Sequence, residues 1–116
     1  MLDVAIIIVS FNTEALLRSC LDSIPAACND LSFRTYVIDN VSSDGSAEMV
    51  RSEFADVELT VAASNLGFAR ANNLALQRPD VRASRFTLLL NPDTEAKPGS
   101  IATLVRFMEG HAEAGA

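Results

Sequence analysis

The chain has 116 residues, of which 49% are hydrophobic and 21% are charged, and its formal net charge is -6. This length predicts one domain with a real core, and the composition excludes a disordered segment. Sequence-independent binding to DNA or RNA needs a basic surface that displaces counterions, so the acidic charge excludes nucleic acid as a partner.

The first predicted elements are a strand and a helix. β-branched residues fill 4–10, which predicts a central strand that is covered on both faces, and this run is too short for a signal peptide or a membrane span. A helix is predicted at 14–24, with Asn12 or Thr13 as its N-cap and Pro25 just past its end. Its apolar stripe contains Leu16, Leu17, Cys20, Leu21 and Ile24.

The cysteines indicate a reduced, cytoplasmic protein. Cys20 lies on the apolar stripe of the first helix, which predicts a buried thiol. Neither Cys20 nor Cys28 shows a spacing with His111 that is typical of a zinc site. We therefore predict a cytoplasmic location without a structural metal.

Two further strand and helix pairs follow. A second strand is predicted at Phe33–Asp39, and the polar stretch 40–46 after it is a loop that lets Ser46 cap a helix at 47–54. A shorter third strand is predicted at 57–62, near a sheet edge. The helix after it reaches Leu76 and is closed by Pro79.

The last strand is predicted at 86–90, an apolar run that is typical of a strand buried on both faces. It is followed by Asn91, Pro92 and Asp93, which fit either a ligand site at the strand end or an ordinary turn that leads to a helix. A final helix begins at 97–99, and the tail 109–116 is a frayed or cut end. This helix has Ile101, Leu104, Val105 and Met108 on one face.

The alternation of strands and helices predicts an α/β fold of three layers, Rossmann-like, with a parallel sheet of four strands in the order 3-2-1-4. The carboxyl ends of the strands then bring Ser10, Asp39 and Asp93 to one edge of the sheet. Asp39 and Asp93 would repel each other unless a cation or hydrogen-bond donors lie between them, and Mg²⁺ is held by such carboxylates together with substrate phosphates.

Two glycines and two asparagines have both structural and functional interpretations. Gly45 and Gly67 stand outside any G-x-G-x-x-G or Walker pattern, so each is predicted to allow a positive φ or a close approach in its turn. Asn72 and Asn73 are disfavoured inside a helix. They either make surface hydrogen bonds or line the crevice with donors.

Four motifs together resemble one enzyme family. They are VSFN at 9–12, VIDNVSSDGS at 37–46, NLGFARANN at 65–73 and LLNPDT at 89–94. In this order and spacing they resemble the donor-binding half of family 2 glycosyltransferases, and the last two are similar to the bacterial rhamnosyltransferase-like branch. The likeness covers nearly the whole chain.

The resemblance implies a GT-A fold that binds a nucleotide-diphosphate sugar such as a dTDP- or UDP-sugar. The substrate-binding residues that it implies are Ser10, Phe11, Asn12, Asp39, Asn65, Gly67, Asn72, Asn73 and Asn91. The first three would border the base and ribose, and Asp39 would accept hydrogen bonds from the base. Asp93 stands in the family's D-x-D motif, so it would hold a divalent metal, Mg²⁺ or Mn²⁺, and the diphosphate.

The chain departs from the family pattern at three places. Asn91 replaces the first aspartate of the D-x-D motif, which leaves Asp93 as its one carboxylate. Asn72 stands where many relatives have arginine, so a cation beside the phosphates is missing, and Arg70 is the nearest substitute. The acceptor-binding half and the general base are expected beyond residue 116.

The resemblance thus implies inverting glycosyl transfer to a saccharide or lipid-linked acceptor in cell-envelope polysaccharide synthesis. Residues 1–116 would be the nucleotide-sugar-binding part, either truncated or a short gene product, in the cytoplasm or at the inner face of the membrane. The alternative is a non-catalytic Rossmann-like module that binds a nucleotide or a partner chain. A receiver domain would need an acidic pair after the first strand, where 10–12 supply none.

The fourth strand also leads to an expectation about assembly. If the chain is half of a larger domain, this strand has no neighbour along its free edge. We therefore expect dimerisation or aggregation through the exposed edge of the sheet.

Overall fold

The computed structural model of the protein describes residues 1–111, which form a parallel sheet with helices on both faces. The strands are β1 (Val4–Ser10), β2 (Phe33–Asp39), β3 (Glu58–Val61) and β4 (Phe86–Leu89). Their order is β3-β2-β1-β4, and all three pairings are parallel. The predicted fold class and strand order are therefore confirmed.

The helices complete the three layers. They are α1 (Glu14–Cys28), α2 (Ser46–Glu53), α3 (Gly67–Leu76), α4 (Pro79–Arg82) and α5 (Ser100–Gly110). Apolar residues of α1, α2 and α5 pack on one face of the sheet, and those of α3 and α4 pack on the other. Within the described part of the chain, no helix is long and apolar enough to cross a membrane.

The register of the sheet determines where the loop after each strand begins. Ser10 pairs with Asp39, so β1 and β2 end side by side. β4 pairs with the first half of β1 only, and the N–H of Leu90 still donates to the carbonyl of Ile7, at 2.9 Å. The loops after β1, β2 and β4 therefore leave from the same edge.

Helix α1 differs from its prediction because it continues past Pro25 to Cys28. Proline removes a helical hydrogen bond, but Ala27 and Cys28 are fully buried, so packing offsets that loss. Leu16 is 50% exposed and lies off the buried stripe. Thr13 is the N-cap residue, yet its side chain makes no capping bond.

The other helices also differ at their ends. Gly45 and not Ser46 precedes α2, because the side chain of Ser46 bonds to Asp44 and not to the helix. The short helix α4 was not predicted, since the proline that closes α3 also begins the next turn of helix. Helix α5 runs to Gly110, and the rest of the predicted tail lies outside the described residues.

The predicted burial of β4 on both faces is wrong. Its first three residues are half-buried and Leu89 is 47% exposed, because β4 is an edge strand with β1 on one side only. A cavity of about 200 Å³ also separates β4 from α5. Leu104, predicted on the buried face of α5, is 45% exposed beside this cavity.

Candidate functional site

The loops after β1 and β2 are held together by Asn12. Its side-chain oxygen accepts the backbone N–H of Ser43 at 2.7 Å, and its own N–H donates to the hydroxyl of Ser42 at 2.9 Å. Asn12 has a φ of 52°, a left-handed conformation that asparagine tolerates better than most residues. The predicted site residue Asn12 therefore shapes the loop through contacts inside the protein.

Asp39 lies at the end of β2 and is 2% exposed. Its two oxygens accept the N–H of Ser42 at 2.9 Å and the hydroxyl of Ser42 at 2.6 Å. A carboxylate offers about four acceptor positions, so both oxygens keep capacity for a further donor. The register places Asp39 beside Ser10, whose hydroxyl bonds to that of Thr13 at 2.9 Å.

Val41 is in a conformation that few β-branched residues adopt. Its φ is 60°, and its side chain is 44% exposed. This left-handed turn lies between Asp39 and the Ser42 groups that hydrogen-bond to it. Strain of this kind costs about 1–3 kcal/mol and persists where the surroundings fix it.

Asn40 is a residue of this edge that the sequence analysis did not single out. It is 3% exposed, and its amide accepts the N–H of Leu66 at 3.1 Å and donates to the carbonyl of Gly67 at 3.3 Å. Its own N–H donates to Ser10 at 2.8 Å. Asn40 therefore joins β1, β2 and the start of α3, and its place directly after a strand-ending aspartate was the available signal.

The two predicted glycine roles are both found. Gly67 has a φ of 76° and open space where a Cβ would be, so the backbone conformation requires glycine there. Its N–H donates to the side chain of Asn65 at 2.9 Å. Gly45 makes a close approach: an added Cβ would lie 2.7 Å from Oε1 of Glu14, a contact that a shift of this flexible side chain would relieve.

Asn72 and Asn73 have different surroundings. Asn72 is 4% exposed, and its amide donates to the carbonyl of Phe68 at 3.1 Å, one turn earlier in α3. Asn72 therefore does not make the surface hydrogen bonds that its structural interpretation predicted. Asn73 is exposed.

At the end of β4 the side chains of Asn91 and Asp93 are exposed, and neither hydrogen-bonds to any residue of 1–111. The backbone carbonyl of Asn91 accepts from Sγ of Cys20 at 3.8 Å. Burial, with a smaller contribution from the negative charge of Asp93, raises the pKa of the Cys20 thiol to about 11. Asp93 follows Asn91 by two residues, so the contact of Asn91 with Cys20 keeps the start of this loop against α1.

Acidic groups also surround the first turn of α1. Oδ2 of Asp44 accepts the N–H of Glu14 at 3.2 Å, and Oδ1 accepts the hydroxyl of Ser46 at 2.5 Å. The hydrogen bond from Ser46 is the main reason that the pKa of Asp44 is lowered. A carboxylate at a helix N-terminus is favourable, so Asp44 stabilises the junction of the two loops.

The side-chain oxygens after β4 are suited to a metal ion whose remaining ligands come from a substrate. Nowhere in residues 1–111 do three histidine, cysteine, aspartate or glutamate side chains lie close enough to hold an ion by themselves. Asp93 and Asn91 offer a carboxylate and an amide oxygen, which are hard ligands suited to Mg²⁺ or Mn²⁺. Such ions commonly take one or two protein ligands and the phosphates of the substrate.

A larger cavity, of about 590 Å³, lies at the opposite end of the sheet. It is lined by Ile24, Phe33, Thr35, Phe54 and others around the start of β2. None of the predicted site residues lines it. The candidate site is formed by the polar groups at the carboxyl ends of β1, β2 and β4, which we name the carboxyl edge of the sheet, and not by this cavity.

The family model described as "Glycosyl transferase family 2" matches residues 5–116. No curated protein sequence matches the chain.

Several solved structures share the fold. S. aureus TarS (residues 1–349) superposes with a TM-score of 0.78 at 20% identity, over 95% of this chain and 33% of that one. The same protein in complex with UDP-GlcNAc gives 0.76 at 22%, over 95% and 32%. The mannosyltransferase PcManGT from Pyrobaculum calidifontis, in complex with GDP-Man and Mn²⁺, gives 0.73 at 24%, over 97% and 33%. The chain thus spans about a third of the length of these matched chains, and 20% of the longer TarS structure.

Proposed function

Because this chain belongs to glycosyltransferase family 2, we propose that it forms the nucleotide-sugar-binding part of an inverting glycosyltransferase. The observation that carries the proposal is the edge of the sheet where the loops after β1, β2 and β4 emerge together. In open α/β sheets, ligands bind at the carboxyl ends of the strands where the strand order reverses, which here is at β1 and β4.

In this proposal the β1 and β2 side binds the nucleoside. Asp39 keeps acceptor positions for donors of the base, and its carboxylate is already oriented by Ser42. Phe11 is 48% exposed, so its ring offers an apolar surface for the base or ribose. Asn12, Asn65 and Gly67 support this surface by holding the loops in place.

The β4 side binds the diphosphate. Asp93 and Asn91 would hold a divalent ion, which when bound neutralises the charge of the diphosphate leaving group. Without a cation Asp93 would repel the diphosphate, and this acidic chain has no P-loop to compensate. The sugar would lie beyond these residues, where the acceptor and the general base of the complete enzyme would meet it.

The finer assignments rest on different support. The solved relatives named above are in complex with UDP-GlcNAc and with GDP-Man and Mn²⁺, which supports a nucleotide sugar as the donor and a metal as the cofactor. The motif resemblance supports a dTDP- or UDP-sugar, the rhamnosyltransferase-like branch, a saccharide or lipid-linked acceptor of the cell envelope and a peripheral location at the membrane. The buried, free cysteines support the cytoplasmic location.

Calorimetry on UDP, dTDP and GDP, with and without Mn²⁺, tests the site. We expect Asp93→Asn to abolish the gain from Mn²⁺, a loss of roughly ten- to a hundredfold in affinity, because a charge-assisted contact is removed. Asp39→Asn should weaken binding with and without metal, because its proposed partner is the base. Asp56→Asn, which changes an exposed carboxylate outside the candidate site, is the matched control.

Each contrary result has a definite meaning. Metal-independent binding by the wild type, or an Asp93→Asn variant that still gains from Mn²⁺, would leave Asp93 as a turn residue before α5. A wild type that binds no nucleotide under any condition would favour the non-catalytic module that binds a partner chain.

A further inference from the structure

The segment 90–99, which carries the metal-binding candidates, lies along one stripe of α1. The three positions of this stripe are spaced three residues apart, at Cys20, Ser23 and Ala26. Their contacts are Sγ of Cys20 with the carbonyl of Asn91 at 3.8 Å, Oγ of Ser23 with the N–H of Ala96 at 3.0 Å, and the carbonyl of Ala26 with the N–H of Gly99 at 3.0 Å. We name this set of contacts the α1 tether.

Ser23 makes the central contact of the α1 tether, and it is the one residue of the tether that contributes a hydroxyl. The hydroxyl donates to the carbonyl of Cys20 at 2.7 Å and accepts the N–H of Ala96 at 3.0 Å. A hydroxyl that donates and accepts at once is fixed in orientation, and its two hydrogen bonds strengthen each other. The backbone of α1 thereby sets the position of Ala96.

The position of Asp93 depends on the contacts of the α1 tether, which hold the backbone of its loop. Its side chain makes no hydrogen bond to any described residue, so no side-chain partner fixes it. Asn91 is held two residues before it and Ala96 three residues after it. The path of the chain between these two points is therefore what determines where the carboxylate can reach.

We propose that Ser23 is a positioning residue for Asp93, which holds its loop in the geometry that a divalent ion and a diphosphate require. This inference rests on the proposed function. Mg²⁺ demands near-ideal octahedral geometry, and the motif offers one carboxylate only, so a loosened loop has no second acidic ligand to compensate. Small displacements of binding groups in such sites lower affinity strongly.

Hydrogen exchange tests the tether itself. In Ser23→Ala the amide of Ala96 should exchange about two- to tenfold faster, the range that follows from losing one ordinary hydrogen bond. The amide of Gly99 should not change, because it is held by a backbone carbonyl. Ser19→Ala is the matched control, since Ser19 is an exposed serine of α1 whose hydroxyl bonds to no described residue.

Calorimetry on UDP tests the consequence for the site. The ratio of Kd without Mn²⁺ to Kd with Mn²⁺ should fall about two- to tenfold in Ser23→Ala, while Kd without Mn²⁺ stays unchanged. Ser23→Thr should restore the ratio and Ser23→Val should not. The Thr and Val variants have the same shape, so they isolate the hydroxyl even where Ser23→Ala folds poorly.

The outcomes separate this inference from the proposed function. An unchanged Ala96 amide in Ser23→Ala overturns the tether. A faster amide with an unchanged Mn²⁺ ratio shows that the tether does not position Asp93. A wild type whose affinity for UDP does not increase with Mn²⁺ overturns the metal role in the proposed function. The positioning role of Ser23 then falls as well, whatever the hydrogen exchange of the Ala96 amide shows.

Discussion

The two sides of the carboxyl edge differ in whether their polar side chains hydrogen-bond within the protein. On the β1 and β2 side, the side chains of Asn12, Asp39, Asn40 and Asp44 all hydrogen-bond to neighbouring loops. On the β4 side, Asn91 and Asp93 have exposed side chains without such bonds among the described residues. Their loop is held through its backbone groups, which bond to the side chains of Cys20 and Ser23 on α1. Polar residues that look alike in the sequence therefore have different tasks.

The difference indicates how binding and stability are divided. Where polar side chains bond to each other, the surface is formed before a ligand arrives, and changing one of them removes structure. Where polar side chains point away from the protein, their donors and acceptors remain available for an external partner. Substitutions on the first side should therefore change the free energy of unfolding, and at Asp39 they should also weaken the proposed contact with the base. Substitutions on the second side should change ligand affinity and leave the free energy of unfolding nearly unchanged.

The strongest test of this division compares two asparagines. Asn40→Ala should lower the free energy of unfolding by about 1–3 kcal/mol, because two part-buried hydrogen bonds, with the N–H of Leu66 and the carbonyl of Gly67, are lost. Asn91→Ala should stay within about 0.5 kcal/mol of the wild type. Urea denaturation measures both, and equal losses in the two variants would contradict the division.

Val41 sharpens the comparison with a gain in stability. Val41→Asn should raise the free energy of unfolding by about 1 kcal/mol, because asparagine tolerates the left-handed φ of 60° that valine resists. Val61→Asn is the matched control. Val61 is 43% exposed on strand β3, where valine is favoured, so the same substitution there should destabilise. A loss of stability in Val41→Asn would show that the turn is not strained.

The smallest expected effect concerns acid stability on the β2 side. The pKa of Asp44 is lowered, so its contribution is complete above the ordinary aspartate value of 3.8 and is lost as pH falls through the lowered value. Ser46→Ala removes the main cause of the lowered pKa, so stability should fall less steeply as the pH drops below 3.8. Ser52→Ala, on the exposed side of α2, should keep the slope of the wild type.

Much of the fold was predictable because it depends on local patterns and on chain topology. β1 and β4 are largely apolar runs and β2 has an apolar centre, and four strands separated by helices leave few parallel arrangements. The strand ends at Ser10 and Asp39 were therefore correct to the residue. The end of α1 was not, because only tertiary packing shows that a helix with two buried residues after Pro25 continues through the proline.

The division within the candidate site was less accessible to sequence reasoning. Asn40 bonds to residues 26 and 27 positions further along the chain, and Ser23 bonds to a residue 73 positions away. Neither contact follows from periodicity or from turn chemistry. The motif resemblance indicated which polar residues matter together, but it could not separate those that bond inside the protein from those that remain exposed.

The central place of β1 has a consequence for how the protein is synthesised. Asp3, just before β1, hydrogen-bonds to Ser32 on the β2 side, 29 residues away, and to Arg85 on the β4 side, 82 residues away. At roughly 5–20 residues per second, the ribosome would deliver the second partner about 3–10 seconds after the first. During that interval the most apolar strand of the chain has one unpaired edge. Until β4 is made, this unpaired edge of β1 is open to pairing with another chain.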